Sequence, residues 1–208
     1  MNRGKRTVRS AVAIAGAVAA LSCAGVAGAS PAGGGYGYTA VREGVPDGAA
    51  RFTVTSPDLR DGRPFPADEI ANAFGCSGAD RQPRLHWTGA PAGTRSYAVT
   101  MFDPDAATGS GFWHWITWDI PAGTSTLDAA LPAGAVAGTN DAGGTGYLGP
   151  CPPAGDGTHH YRLTVLALDV PTLDLPASTP DAVARFTMSG HVIGSARITA
   201  TARTAAGE

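Results

Sequence analysis

Four polar side chains stand at or near the ends of three segments that read as strands: Asp103, His114, His159 and Tyr161. Carboxylate, imidazole and phenol are groups that move protons or hold a small charged ligand. A neutral imidazole accepts or donates a hydrogen bond, and an imidazolium supplies two donors. A carboxylate beside it favours the charged form. Two histidines, a tyrosine hydroxyl and loop N–H groups would therefore suit a small anion such as phosphate. The same set, with Asp103 beside His114 and His159 opposite, would suit general acid–base work on a small metabolite. No Ser or Cys nucleophile stands with them, unless Cys151 is reduced. Asp103, His114 and His159 are also plausible metal ligands by type, but no compact spacing such as HExxH accompanies them, and neither metal nor cofactor is expected. Singly, each signal is weak. Asp103-Pro104-Asp105 is a common turn sequence, and His159-His160 at a strand start can simply be solvated. The weight lies in three strands pointing polar groups the same way.

The strands that would position them are legible. Tyr97–Phe102, Trp113–Ile120 and Tyr161–Leu168 are apolar or alternating runs. Side chains alternate along a strand, so Tyr97, Val99 and Met101 share a face that continues to Asp103. His114, Ile116 and Trp118 are expected to share one face of the next strand. If the first two strands form an antiparallel hairpin, Asp103 and His114 meet at one end, under the loop 104–112. Gly149-Pro150-Cys151-Pro152-Pro153 would stiffen one wall, because proline fixes its backbone. Phe112, Trp113 and Trp115 offer apolar bulk around the polar centre, as ligand pockets do. His86 and His191 read as surface or structural residues.

Elsewhere, Arg51–Ser56 and Leu85–Thr88 read as strands. A short helix is expected within Pro64–Phe74, with Asp68 and Glu69 early and Gly75 as its stop. Residues 132–160 form a long, Gly- and Pro-rich loop of the kind that is usually functional or disordered. Ser178-Thr179-Pro180-Asp181 reads as a cap with proline at the first helical position. Ala182–Ser189 follows as helix, Gly190 as its stop, His191–Ala196 as a second short helix, and Ile198–Ala202 as a last strand.

The chain opens with Arg3, Lys5, Arg6 and Arg9 and no acid, then an apolar run from Ala11 to about Ala20, then Ala27-Gly28-Ala29. This is the three-part pattern of a secretory signal, cleaved near Ala29. The run is shorter and less apolar than the roughly 20 residues a transmembrane anchor needs. Ala20-Leu21-Ser22 is a poor match to the sequence that would make Cys23 a lipoprotein anchor. The expected organisation is a signal peptide at 1–29, a flexible leader at 30–50 and a single domain at 51–208. The formal charge of −2 for the whole chain becomes about −6 without the four N-terminal cations. An acidic domain with no basic run is a poor nucleic-acid partner. Of three cysteines, Cys76 and Cys151 remain after export. An even pair in an oxidising compartment reads as a disulfide, with two buried free thiols as the alternative. The oligomeric state is not legible.

The segments DPDAATGSGFWHWITWDIP (103–121) and GYLGPCPPAGDGTHHYRLTVLALD (146–169) resemble the two signature regions of the phosphatidylethanolamine-binding protein family, most closely its bacterial Raf-kinase-inhibitor-like branch. The similarity continues through CSGADRQPRLHW (76–87), AGTRSYAVTMFDPDA (92–106), TNDAGG (139–144) and MSGHVIGSARI (188–198). It implies a mainly β fold: a large antiparallel sheet packed on a smaller one, with short C-terminal helices. It also implies an anion pocket for phosphate, a phosphorylethanolamine-like head group or acetate. The family's pocket acids fall on Asp103 and Asp105, its histidines on His114 and His159, its aromatic on Tyr161 and its proline-rich wall on Gly149, Pro150, Pro152 and Pro153. The chain departs from the family in having Ala107 for a usual Pro, Ala142 for a usual aromatic, and His160 for a usual Arg. The last change replaces a fixed cation with one only partly charged near neutrality. Eukaryotic relatives regulate kinases, which an exported protein would not meet. Inhibition of another protein partner through the 132–160 loop stays open.

Overall fold

A computed structural model describes residues 44–205, with Met1, of the 208-residue chain. The expected signal peptide, the leader up to residue 43 and Cys23 lie outside the described residues. Part of the expected leader is described and packed. Val45 and Ala49 lie against an apolar cluster, and Ala50 pairs with Gly194.

Nine strands and one helix follow. They are β1 (Ala50–Arg51), β2 (Thr53–Thr55), β3 (Leu85–Thr88), β4 (Ser96–Asp103), β5 (Phe112–Pro121), β6 (Thr126–Leu127), β7 (Val136–Ala137), β8 (His159–Leu168), α1 (Asp181–Ser189) and β9 (Val192–Ala202). The larger sheet runs β1-β9-β8-β4-β5-β7, and the smaller runs β2-β3-β6. The fold is mainly β, as expected, with two refinements. The larger sheet is mixed, because β1 lies parallel to β9. One α-helix stands among the described residues in place of several.

The layers follow from alternation. Tyr161, Leu163 and Val165 of β8 and Tyr97, Val99 and Met101 of β4 face the smaller sheet, where they meet Leu85, Trp87 and Leu127. Each such side chain, fully removed from water, contributes about 1.5–3 kcal/mol before entropy is counted. The opposite face presents Ala98, Ile116, Trp118, Leu166 and Leu168 to Ala184 and Met188 of α1. The larger sheet is thus the middle of three layers.

Four local expectations change. Arg51–Ser56 is not one strand. Phe52 donates its N–H to Ser195 O of the larger sheet, and Thr53 then pairs with Thr88 of the smaller one. The chain changes sheets at Phe52. The expected helix within 64–74 is a single 3-10 turn at Ala67–Glu69. Beyond it, Ala71 N–H donates to Pro150 O and Asp80 N–H to Ile70 O, so the main chain finds partners in other segments. Val192–Ala196 belongs to β9, with His191 in the turn before it; Leu168 pairs with Val192 and Ala167 with Gly194. The buried run there showed no period of two, so its strand character was hidden. Pro180 caps α1 from outside, with Asp181 as the first helical residue. The expected loop 132–160 is mostly irregular apart from β7, and its last two residues, His159 and His160, open β8.

Two register shifts decide which face β5 shows. Met101 pairs with Trp115, but Phe102 pairs with Trp113. His114 is the extra residue of a β-bulge between them. A bulge places two residues opposite one, so His114 and Trp115 both turn toward the inner layer while Ile116 and Trp118 turn outward. The expectation that His114 shares a face with Ile116 and Trp118 is therefore corrected.

Candidate functional site

Antiparallel pairing brings the end of β4, the start of β5 and the start of β8 to one end of the larger sheet. Asp103 pairs with Phe112 across the β4–β5 turn. Gly111 closes that turn at φ +76°, where a Cβ would overlap the Phe102 ring and the Asp103 carbonyl. A cavity of about 310 Å³ opens there. Asp103, His114, His159 and Tyr161 form its polar floor. Ala106 to Thr108, Phe112 and the segments Leu148–Gly149 and Cys151–Pro153 form its walls. Phe74 stands at its rim.

Asp103 is 2% exposed. Its Oδ1 accepts the Asp105 N–H at 2.8 Å, and its Oδ2 lies 2.8 Å from His159 Nδ1. The Tyr161 hydroxyl also donates to this carboxyl. His159, 3% exposed, places Nε2 3.2 Å from Asp156 Oδ2. Burial works to lower the pKa of His159, but the hydrogen bond and charge of Asp103, helped by Asp156, outweigh it and raise the value above the ordinary imidazole range. Burial, then the neighbouring Asp103 charge, pushes the Tyr161 phenol well above its usual range, so it remains a donor.

His114 is the opposite case. It is 7% exposed, with Phe112 and Tyr161 rings beside it at 4.7 and 5.1 Å between centroids. Burial lowers its pKa, although Asp103, the Leu148 and Gly149 carbonyls and Asp141 all pull it upward. Its Nδ1 lies 3.1 Å from Leu148 O. A carbonyl only accepts, so Nδ1 carries the proton.

The wall is held from behind. A disulfide joins Cys76 to Cys151, with 5.9 Å between Cα atoms. Gly149 N–H donates to Asp80 Oδ1 at 2.6 Å, and the Tyr147 hydroxyl donates to Glu69 O at 2.8 Å. A Cβ at Gly149 would overlap the backbone of Glu69–Ala71. Glycine is therefore required by close approach of two main chains.

Two residues from the expected ligand set lie off the cavity. Asp105 turns away and accepts from His160 N–H, with His160 Nδ1 also 2.8 Å from its Oδ2. Pro150 lies behind the wall, where its carbonyl accepts from Ala71. The apolar bulk is also redistributed. Trp115 is core. Trp113 packs on Phe102 and under the Arg185 guanidinium. Phe112 alone of the three lines the cavity. Sequence reasoning missed Phe74 and Asp156. Asp156 stands three residues before His159, and Phe74 two before a cysteine paired with the wall, which are the faint signals that were available. His191 is structural, paired with Asp169 at 2.9 Å. The thiol of Cys151, kept open as a nucleophile, is taken up in the disulfide.

Two packed sheets with a polar-floored cavity at one end of the larger define a β-sandwich binding domain. The family model described as phosphatidylethanolamine-binding protein matches residues 55–203, and the chain belongs to that family. YbcL of Escherichia coli, called a UPF0098 protein, is 42% identical over 159 residues, covering 73% of this chain and 87% of that protein. LppC of Mycobacterium tuberculosis, named as a candidate lipoprotein, is 41% identical over 154 residues, covering 74% and 73%. The crystal structure of E. coli YbcL superposes with a TM-score of 0.72 at 39% identity, covering 74% of this chain and 99% of that one.

Proposed function

We propose that this is an exported binding protein whose cavity holds a small anionic group, phosphate or a phospholipid head-group-like moiety. The observation that carries the reading is the cavity floor. Four polar side chains are buried at the base of an otherwise apolar pocket, and one of them, His159, is held toward its cationic form. Apolar walls with a few convergent polar groups are the usual build of a small-ligand site. The site residues on this reading are Asp103, His114, His159 and Tyr161, with Gly149, Pro152 and Pro153 as wall. Export is supported by the Cys76–Cys151 disulfide, which persists in oxidising compartments, and by the lipoprotein name of a mycobacterial relative. Isothermal titration of the purified protein with inorganic phosphate tests the pocket. Binding that is lost in both Asp103→Ala and His159→Ala supports it; binding unchanged in both removes the assignment.

A further inference from the structure

A second cavity, of about 410 Å³, opens behind the wall, within the size range of small-ligand sites. Of its lining residues only Pro152 also lines the cavity that holds His159. Its chemistry is different. Ile70, Pro150 and Pro152 make an apolar side, Arg203 brings a cation and Ser77 a hydroxyl. No acidic side chain among the described residues lines it. Arg81 and Arg84 are tied to Asp58, but exposed Arg203 has no ion pair or hydrogen bond from its side chain to another described residue.

The main chain is also unfinished here. The segment 62–65 runs beside β9, with Gly62 N–H donating to Thr199 O, Thr201 N–H to Arg63 O and Phe65 N–H to Thr201 O. Residues two apart along an extended chain turn their peptide groups to the same edge, so Arg203 is the next to face this one. Thr204 keeps the alternation, because its carbonyl accepts from Gly155 N–H on the opposite edge. Pro66 has no N–H to offer, and the 3-10 turn at Ala67–Glu69 ends the neighbouring extended run. No backbone hydrogen bond to Arg203 is made among the described residues. One residue thus carries both a bare edge peptide and an unpaired guanidinium, at the margin of a partly apolar hollow.

We propose that this groove is a docking site for the C-terminal end of an extended peptide. The peptide pairs its main chain with the bare edge at Arg203, its α-carboxylate meets the Arg203 guanidinium, and a small apolar last side chain rests against Ile70 and Pro150. Strand addition supplies affinity through main-chain bonds, and capture of a terminal carboxylate supplies direction. Guanidinium and carboxylate match in shape as well as charge. A simple anion would use the guanidinium and leave the edge bare, which is why the occupant is a peptide. The site is separate from the anion cavity, and neither reading depends on the other.

The test is an NMR titration of the isotope-labelled protein with acetyl-Ala-Ala-Val bearing a free carboxylate, with the same peptide ending in an amide, and with acetate. The amide signals of Ser77, Arg203 and Thr204 should move. The acid should bind at least about 10-fold more tightly than either the peptide amide or acetate, because each of those lacks one half of the contact. The Arg203 N–H should exchange with solvent more slowly when the acid is bound. Arg203→Gln, a change at an exposed position past the last strand, should bring the acid down to the affinity of the amide. Equal affinity of acid and amide, or a preference that survives in Arg203→Gln, overturns the carboxylate contact. Acetate binding as tightly as the acid, or unslowed exchange at Arg203, overturns the added strand. Unmoved signals at about 10 mM peptide, a concentration that would detect even millimolar affinity, overturn the site as a whole. Failure of the phosphate titration above would leave this site standing.

Discussion

Removal of the Cys76–Cys151 disulfide by Cys76→Ser with Cys151→Ser should destabilise the domain strongly, and the size can be worked from the chain. The cysteines are 75 residues apart in sequence. On the loop-entropy model, closing such a loop in the unfolded chain is worth about 4.5 kcal/mol at 25 °C. Native contacts recover little of this when the bond is absent, because they are already made. Ala71 still donates to Pro150 O, Gly149 to Asp80 and Tyr147 to Glu69, so the folded wall should keep its place. The loss therefore falls on the unfolded side. With a urea m-value of about 2 kcal/mol/M, the midpoint should drop by about 2 M. The melting temperature should drop by about 10–15 °C for a domain of this size. The oxidised protein should also show the smaller m-value, since its unfolded chain is more compact. Urea and thermal melts of oxidised wild type and of the double Ser variant decide the matter. A midpoint shift below about 0.5 M would refute the reasoning and would mean that the two segments stay associated in the unfolded state.

Asp103→Asn removes the partner that raises His159. The histidine, still beside Asp156, should then titrate lower than in wild type in an NMR pH series. In wild type the raised value means stability that is full below about pH 6.5, the unfolded imidazole value, and lost as pH rises through the folded one; in the variant that slope should flatten. Asp181, raised to about 6 by burial and by its hydrogen bond and charge interaction with Asp141, should behave as follows. Its contribution is full below pH 3.8 and lost as pH rises through about 6, so Asp181→Asn should flatten that window and stabilise the protein at pH 7 by about 1 kcal/mol after solvent screening, measured by urea melts at pH 4, 5, 6 and 7. Gly149→Ala should cost about 1–3 kcal/mol by forcing apart the wall and the 69–71 segment, whereas Gly48→Ala, which meets open space, should change the thermal midpoint by no more than a surface substitution does.

The long strands β4, β5 and β8 were legible because their residues are apolar or alternate and because Pro121 and the glycine-rich turns mark their ends. The floor of the cavity was legible for the same reason: Asp103, His114, His159 and Tyr161 sit where those strands begin or stop. What the sequence concealed depends on pairing between distant segments. The bulge at His114 exists only because β5 runs against β4 in a shifted register. β9 looked helical at His191–Ala196 because nearly every residue there is at least partly buried and no alternation shows. Glu69–Ala71 looked helical because composition cannot reveal that its peptide groups bond to Pro150 and Asp80. Phe74, 72% exposed in a left-handed backbone conformation, became visible only once the disulfide placed its segment at the cavity mouth.

The parallel strand β1 has a consequence for how copies of this protein behave toward one another. β9 is eleven residues long and, left bare, would offer a row of unsatisfied peptide groups of the kind that recruits strands from other molecules. Ala50–Arg51 screens it at Gly194–Ser195. The segment 62–65 screens its far end, through Gly62 to Thr199 O, Thr201 to Arg63 O and Phe65 to Thr201 O. The other margin of the larger sheet ends in β7, only two residues long, too short to template a neighbour. Resistance to edge-on aggregation is therefore assigned to a few main-chain bonds made on either side of β2, and trimming the chain to begin at Phe52 would uncover the first part of β9, at Gly194–Ser195, to the next molecule.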